Sequence, residues 1–195
     1  MLKHGKSGIK YMEESKMDFL VCIDCQNDFI TGSLGSKEAI EVLPRIVDKV
    51  KNWNDKVLFT MDVHGENYLD TLEGKHLPIE HCIVNETNGW WVEESLRNLQ
   101  EIESCDVIYK NRFGSFNLVR NINALNNNNE DNIDSITLVG YCTDICILVN
   151  AMILRTAFPN TEIVVDASCC AGSTQEAHEA ALLVMKNCQI KVINE

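Results

Sequence analysis

A carboxylate, an amine and a thiol stand at the ends of three apolar runs of this sequence, at Asp24, Lys110 and near Cys146. A fourth run ends in Asp62, with His64 two residues on. Such a set could carry out nucleophilic catalysis beside a metal site. Cys146 follows Gly140-Tyr141-Cys142-Thr143-Asp144-Ile145, where a strand gives way to a helix with Thr143 near its N-cap. In a first helical turn, unpaired backbone N–H groups and the helix dipole favour a thiolate. Such positions, especially beside a cation, lower a cysteine pKa from about 8.5 into the range of roughly 3.5 to 7.5. Lys110 is the available cation, and Asp24 could take the thiol proton and pass it to a leaving group. Each residue also has a plain structural explanation: a small buried thiol, a snorkelling amine, a cap. Their joint placement at neighbouring strand ends is what points to a site, because open α/β sheets bind ligands beyond the carboxyl ends of their strands.

Between the second and third runs lie Asp62-Val63-His64, then Glu73-Gly74-Lys75-His76, then Pro78-Ile79-Glu80-His81. Imidazole and carboxylate without thiolate suit Zn²⁺, Fe²⁺ or Mn²⁺. The alternative is a polar surface loop whose histidines are incidental, and the residues alone leave the two open. His4 and His178 are expected to be structural or solvated. Cys22 and Cys25 have C-x-x-C spacing, but residues three apart on an extended strand point to opposite faces, so the sulfurs are expected to diverge. Cys142 and Cys146 straddle the strand-to-helix turn, Cys169 and Cys170 are expected to line a turn, and Cys82, Cys105 and Cys188 have no readable ionisable context.

The elements that must position these groups alternate regularly. Strand-like runs at 19–24, 57–61, 106–110, 133–141, 162–166 and 190–193 are short and almost continuously apolar, as parallel strands covered on both faces are. Helical spacing marks 37–53, 92–102, 116–125, 144–157 and 174–186, with Ser173 and Glu176 forming a capping box for the last. This order predicts a doubly wound α/β sheet. The exception, 63–91, is a long stretch without clear periodicity, and loops of that length in a compact domain are usually functional. The polar tract at 126–132 reads as a solvated connection.

The chain has 195 residues, 45% of them apolar, with 17 basic against 29 acidic side chains and a net charge of −12. That suits one globular domain, placed at 17–195, preceded by a flexible arm at 1–16, with Met17 a possible second start. An acidic chain is a poor partner for phosphate backbones, so nucleic acid is set aside. No uncharged apolar run approaches the roughly 18 residues of a membrane span, and the first sixteen residues contain no secretory signal. The odd count of nine cysteines and the lack of a disulfide framework fit reduced thiols in the cytoplasm.

With these residues in view, the chain resembles the isochorismatase-like cysteine hydrolases, and within them the metal-dependent nicotinamidase (pyrazinamidase) branch, over about residues 18–193. The resemblance rests on Asp24-Cys25-Gln26-Asn27-Asp28-Phe29 with Gly32-Ser33-Leu34, and on Lys110 ahead of residues 113–116. It rests further on residues 140–146 and on Asp62-x-His64 followed by His81-Cys82. It implies a three-layer α/β/α sandwich with a six-stranded parallel sheet of order 3-2-1-4-5-6. Asp24, Lys110 and Cys146 would be the catalytic triad. The oxyanion hole would fall on the backbone N–H groups of Cys142 and Cys146, with a cis peptide between Tyr141 and Cys142. Asp62, His64 and His81 would hold a divalent metal, Zn²⁺ first and Fe²⁺ or Mn²⁺ as alternatives, with Glu73 in a position some relatives fill with a ligand. An aromatic residue that nicotinamidases place just before the last metal histidine is replaced here by Leu77-Pro78. Phe29, Tyr141, Trp90 and Trp91 are the expected substrate contacts.

The implied activity is release of ammonia from a small amide, nicotinamide first, through a thioester, by a cytoplasmic homo-oligomer. A metal-free ureido or carbamoyl amidase of the same family is an alternative enzyme. A non-catalytic thiol- or metal-sensing scaffold is the alternative from outside enzymology.

Overall fold

The computed structural model describes residues 16–84, 87–99 and 107–195. The expected arm, apart from Lys16, lies outside the described residues, as do Cys105 and the end of the helix expected at 92–102. Six parallel strands form one sheet in the order β3-β2-β1-β4-β5-β6. They are β1 (Met17–Ile23), β2 (Lys56–Asp62), β3 (Val107–Lys110), β4 (Ile133–Tyr141), β5 (Glu162–Ala171) and β6 (Lys191–Ile193). This is the implied doubly wound sheet and strand order.

Alternation along β1 builds the two outer layers. Phe19, Val21 and Ile23 share a core with Leu118 and Ile122 of α5 (Phe116–Leu125), Ala151 and Leu154 of α6 (Leu148–Ala157), and Leu182 and Met185 of α7 (Gln175–Asn187). Leu20 and Cys22 face the other way. They pack with Phe29 and Ile30 of α1 (Asn27–Ile30), with Leu96 of α4 (Glu94–Arg97), and with Ala39, Val42, Ile46 and Val50 of α2 (Lys37–Lys51). The α2 positions recur every three or four residues, which gives the helix one apolar stripe. Among the described residues between β2 and β3, the expected long loop contains α3 (Leu72–His76) and two single 3₁₀ turns, Tyr68–Asp70 and Asn88–Trp90.

Four local expectations are corrected. Cys169 and Cys170 do not line a turn but lie buried near the end of β5. The cap of α7 is Thr174, whose hydroxyl accepts the Ala177 N–H at 3.1 Å, not Ser173. Thr143 does not cap the helix after β4; Cys142 takes the N-cap position, and a π-helical segment, Thr143–Ile147, leads into α6. Cys22 and Cys25 do not diverge. Asp24 has φ +49°, a left-handed residue that turns the chain out of β1 and returns Cys25 to the core that holds Cys22.

α2 is tied to β5 by Lys49, whose ammonium lies 2.7 Å from Asp166 Oδ2. Burial pushes the Asp166 carboxyl up, but hydrogen bonds from Lys49, Ser168 and Asn194 outweigh it and hold it below the usual range. A depressed folded-state pKa stabilises the protein above the unfolded value of about 3.9 and loses that contribution as pH falls through the folded value. Asp166→Asn should therefore cost about 1–3 kcal/mol at pH 7 and much less at pH 2–3. Denaturant melts at the two pH values check this; a deficit independent of pH would contradict it.

Candidate active site

Parallel register brings the expected groups together. Ile23 pairs with Thr60 and with Gly140, and Asp62 pairs with Lys110. Asp24, one residue beyond Ile23, therefore stands beside the ends of β2 and β4. Gly140, at φ +119°, lies so close to β1 that a Cβ would collide with the Ile23 carbonyl.

At the centre is the Lys110 ammonium. Its Nζ is 2.7 Å from Asp24 Oδ2, 3.4 Å from Asp62 Oδ1 and 3.5 Å from Cys146 Sγ. All four residues are buried. Burial disfavours the charged amine, but Asp24, Cys146 and Asp62 outweigh it and hold Lys110 above its ordinary pKa. Asp24 is raised, mainly by desolvation against the opposing charge of Lys110. Its other oxygen accepts the Thr60 hydroxyl at 2.7 Å, and its N–H meets Thr60 Oγ1 at 3.1 Å.

The expected depression of the Cys146 pKa is overturned. Burial, with the Asp24 carboxylate next, pushes the thiol well above its ordinary value despite Lys110. Helix-end stabilisation acts best on a partly exposed thiol, and desolvation dominates here. Cys146 is therefore held as the neutral thiol, with Asp24 as a hydrogen-bonding neighbour. Cys142 is likewise raised by burial, to about 12. The Cys142 carbonyl accepts the N–H groups of Ile145 and Ile147, each at 3.1 Å, and the Tyr141–Cys142 peptide is cis as implied.

Beside this lies the metal-type group. One donor atom each from Asp62, His64, Glu73 and His81 falls within 4.8 Å of the others. Two imidazoles and two carboxylates fit a divalent cation of the Zn²⁺, Fe²⁺ or Mn²⁺ kind. His81 Nδ1–H donates to the Ile79 carbonyl at 2.8 Å, which leaves Nε2 as a lone-pair donor, the usual arrangement behind a metal-bound histidine. Burial raises the Asp62 carboxyl, but His64, His81 and Lys110 outweigh it and keep it ionised, well below the usual range.

Several residues that hold this group are polar, buried and invisible to periodicity. Gln26 accepts the Asp62 N–H at 2.7 Å and donates to the Asp62 carbonyl at 2.9 Å and to the Trp90 carbonyl at 2.7 Å. Asp28 accepts the Cys82 N–H at 2.7 Å, and Gly89 lies against its carboxylate, where a Cβ could not fit. His64 N–H donates to the Cys82 carbonyl at 3.0 Å, and Val84 N–H to the His64 carbonyl at 3.1 Å. Tyr68 sets its ring edge-on to His64 and His81, with centroids 4.7 and 4.9 Å away. Asn150 bonds the Phe113 and Cys146 carbonyls at 3.0 and 2.8 Å and accepts the Ser115 N–H at 3.0 Å. The amide motifs at 26–28 were in view in the sequence; Tyr68 and Asn150 carried no signal there.

A cavity of about 260 Å³ opens onto both groups, bordered by Asp62, Glu73, His81, Cys142 and Cys146. Phe29 and Tyr141 line it as expected, together with Leu34, Leu77, Phe113 and Ile145. Trp90 and Trp91 do not. Gln26 draws the Trp90 carbonyl inward, Trp90 stacks with Tyr109 at 6.2 Å, and Trp91 lies beside Trp90 and under the Arg97 guanidinium. Leu77 and Leu34 supply the walls instead.

A model of the isochorismatase domain matches residues 18–195. No curated protein matches the chain. Among solved structures, a nicotinamidase/pyrazinamidase from Bacillus subtilis is 28% identical, covering 91% of this chain and 100% of its own, with a TM-score of 0.74. One from Streptococcus mutans is 27% identical over 90% of this chain and 99% of its own, with a TM-score of 0.75. A Pyrococcus horikoshii pyrazinamidase solved in complex with zinc shares the fold at 21% identity, over 92% of this chain and 99% of its own, with a TM-score of 0.70.

The metal group generates a direct prediction. Wild-type protein should bind one divalent ion per chain, measured by elemental analysis. Gln26→Leu, which frees both backbone groups of Asp62, should weaken binding about 10–100-fold in chelator competition, and His81→Ala should weaken it further. Affinity unchanged by either substitution would remove these residues from the ligand assignment.

Proposed function

The chain belongs to the isochorismatase domain family, close to its nicotinamidase branch, and is a hydrolase of amide C–N bonds; we propose that its substrate is a small amide, nicotinamide first, cleaved through a Cys146 thioester. The observation that carries this is the buried contact of one ammonium with Asp24, Asp62 and Cys146, next to a cavity of small-molecule size.

The thiol proton moves to Asp24 as Sγ attacks the amide carbon. Burial raises the Asp24 pKa towards that of a group able to hold a proton and release it again. Lys110 stays cationic and balances the negative charge as it passes from carboxylate to sulfur. The oxyanion is met by the backbone N–H groups of Cys142 and Cys146, donors of a kind worth about 2.7–4 kcal/mol each. Asp24 then returns its proton to the departing nitrogen, the C–N bond breaks, and ammonia leaves a Cys146 thioester. Water adds to the thioester with Asp24 as base, releasing the carboxylic acid and restoring the thiol. Asp62, His64, Glu73 and His81 would hold a divalent cation, Zn²⁺ first on this donor set, supplying a Lewis-acid contact for a ring nitrogen of the substrate. Phe29, Leu34, Leu77 and Phe113 exclude water and hold the ring by apolar contact.

Purified protein incubated with nicotinamide should release ammonia and nicotinate in equal amounts. Cys146→Ala should abolish turnover, and Asp24→Asn should lower kcat by at least about 10²-fold, since it removes the proton carrier. Metal-loaded wild-type protein that leaves nicotinamide intact would sink the substrate assignment, and full activity in Cys146→Ala would sink the mechanism.

A further inference from the structure

The nucleophile turn is held from outside the reacting groups by the start of α7. Thr143 is fully buried and lies between Cys142 and Cys146, the two residues whose N–H groups are assigned to the oxyanion. Its hydroxyl meets His178 Nδ1 at 2.8 Å. The next residue, Asp144, accepts both the Ser173 N–H at 2.8 Å and the Ser173 hydroxyl at 2.6 Å. Gly172 closes the joint. A Cβ there would lie 2.8 Å from His178 Cβ and 3.0 Å from Asp144 Oδ1, so the loop and helix touch the turn with no space for a side chain. Two successive residues of the turn are thus clamped to one short segment, 172–178. That segment also lines the substrate cavity through Gly172 and Ser173.

We infer that His178 is a positioning residue: through Thr143 it fixes the turn that carries the Cys146 thiol and the Cys142 and Cys146 N–H groups. The inference rests on the thioester reading of the site. Burial holds the imidazole below its ordinary pKa, so the ring that shares this hydrogen bond with the Thr143 hydroxyl is neutral. Oxyanion donors act only when aimed at where charge develops, and a displacement near 1 Å can cost about 10²-fold in rate. A clamp of this kind affects kcat more than KM, because the ground-state amide does not carry the charge the donors meet.

The test compares wild type with His178→Leu, His178→Asn, Thr143→Val and the double variant His178→Leu/Thr143→Val. Two readouts are taken: ammonia release from nicotinamide, and the rate at which iodoacetamide alkylates Cys146, followed by mass spectrometry. His178→Leu should lower kcat by about 10- to 100-fold with KM little changed, and should change the Cys146 alkylation rate at least severalfold. His178→Asn, which keeps a hydrogen-bonding group near the position of Nδ1, should recover most of both. Thr143→Val should reproduce the leucine variant, and the double variant should lose no more than either alone. If His178→Leu fails to fold, His178→Gln, with its amide one methylene further out, should behave as the disruptive variant. Independent losses that multiply in the double variant, or alkylation unchanged in the disruptive variant, overturn the clamp. Alkylation does not depend on the identity of the substrate. A wild-type protein inert towards nicotinamide would therefore sink that substrate while the clamp is still decided by alkylation.

Discussion

One buried ammonium organises this molecule. Moving the Lys110 charge out of water costs several kcal/mol unless it is paired, and Asp24 and Asp62 pair it from two different strands. The two carboxylates carry the same burden, and without the cation they would repel each other. None of the three can therefore be relocated without exposing the others to the full desolvation cost. The arrangement needs β1, β2 and β3 side by side with their carboxyl ends level, which the 3-2-1-4-5-6 order provides. It also needs β4 on the far side of β1, because Cys146 must approach the same ammonium from the turn that follows β4. Cys146 and the metal-type group are adjacent because they share a counterion.

The same charge explains why so much irregular chain is wrapped over the sheet edge. The segment between β2 and β3 supplies the other three metal-type donors, His64, Glu73 and His81, and it is anchored by buried amides and carboxylates as well as by Cys82, Trp90, Val92 and Leu96 in the core. Gln26 satisfies both backbone groups of Asp62, and Asp28 receives the Cys82 N–H. Buried polar groups are tolerated when all their hydrogen bonds are made, and such networks fix a loop more specifically than apolar contact alone. Tyr68 completes the enclosure: it is fully buried, it sets its ring on two imidazoles, and its hydroxyl donates to the Leu77 carbonyl at 3.0 Å.

How much of this was legible in the sequence follows from which force decides each part. β4 and α5 match their expected bounds because apolar continuity in one and a 3.6-residue period in the other are burial signals, and burial decides both. The strand ends bearing Asp24, Asp62 and Lys110 were legible for the same reason. Electrostatics at Cys146 was not, because helix position and a nearby lysine can be read from sequence while depth cannot, and depth reverses the sign of the shift. Trp90 and Trp91 failed as cavity residues because hydrogen bonds from Gln26 to the Trp90 carbonyl and from the Asn27 N–H to the Trp91 carbonyl tie that segment to the chain after β1. Cys22 and Cys25 failed because strand periodicity stops at Asp24, whose left-handed backbone no pattern of apolar residues announces.

Residues whose roles depend on partners distant in sequence form the least legible class, and they include those that give the site its rigidity. Asn150 is one turn beyond Cys146, yet its amide ties the segment after Lys110, through Phe113 and Ser115, to the Cys146 carbonyl. His178 lies thirty-five residues from the Thr143 hydroxyl it meets. Read along the chain, each is a polar residue on an amphipathic helix with no distinguishing neighbour. In the fold, each closes a bond between the turn that carries Cys146 and another element. On the proposed mechanism, a site that holds a neutral thiol, a carboxylate and an ammonium together while a proton moves needs such cross-ties more than it needs further reactive groups. They are the part of the design that only the folded arrangement makes visible.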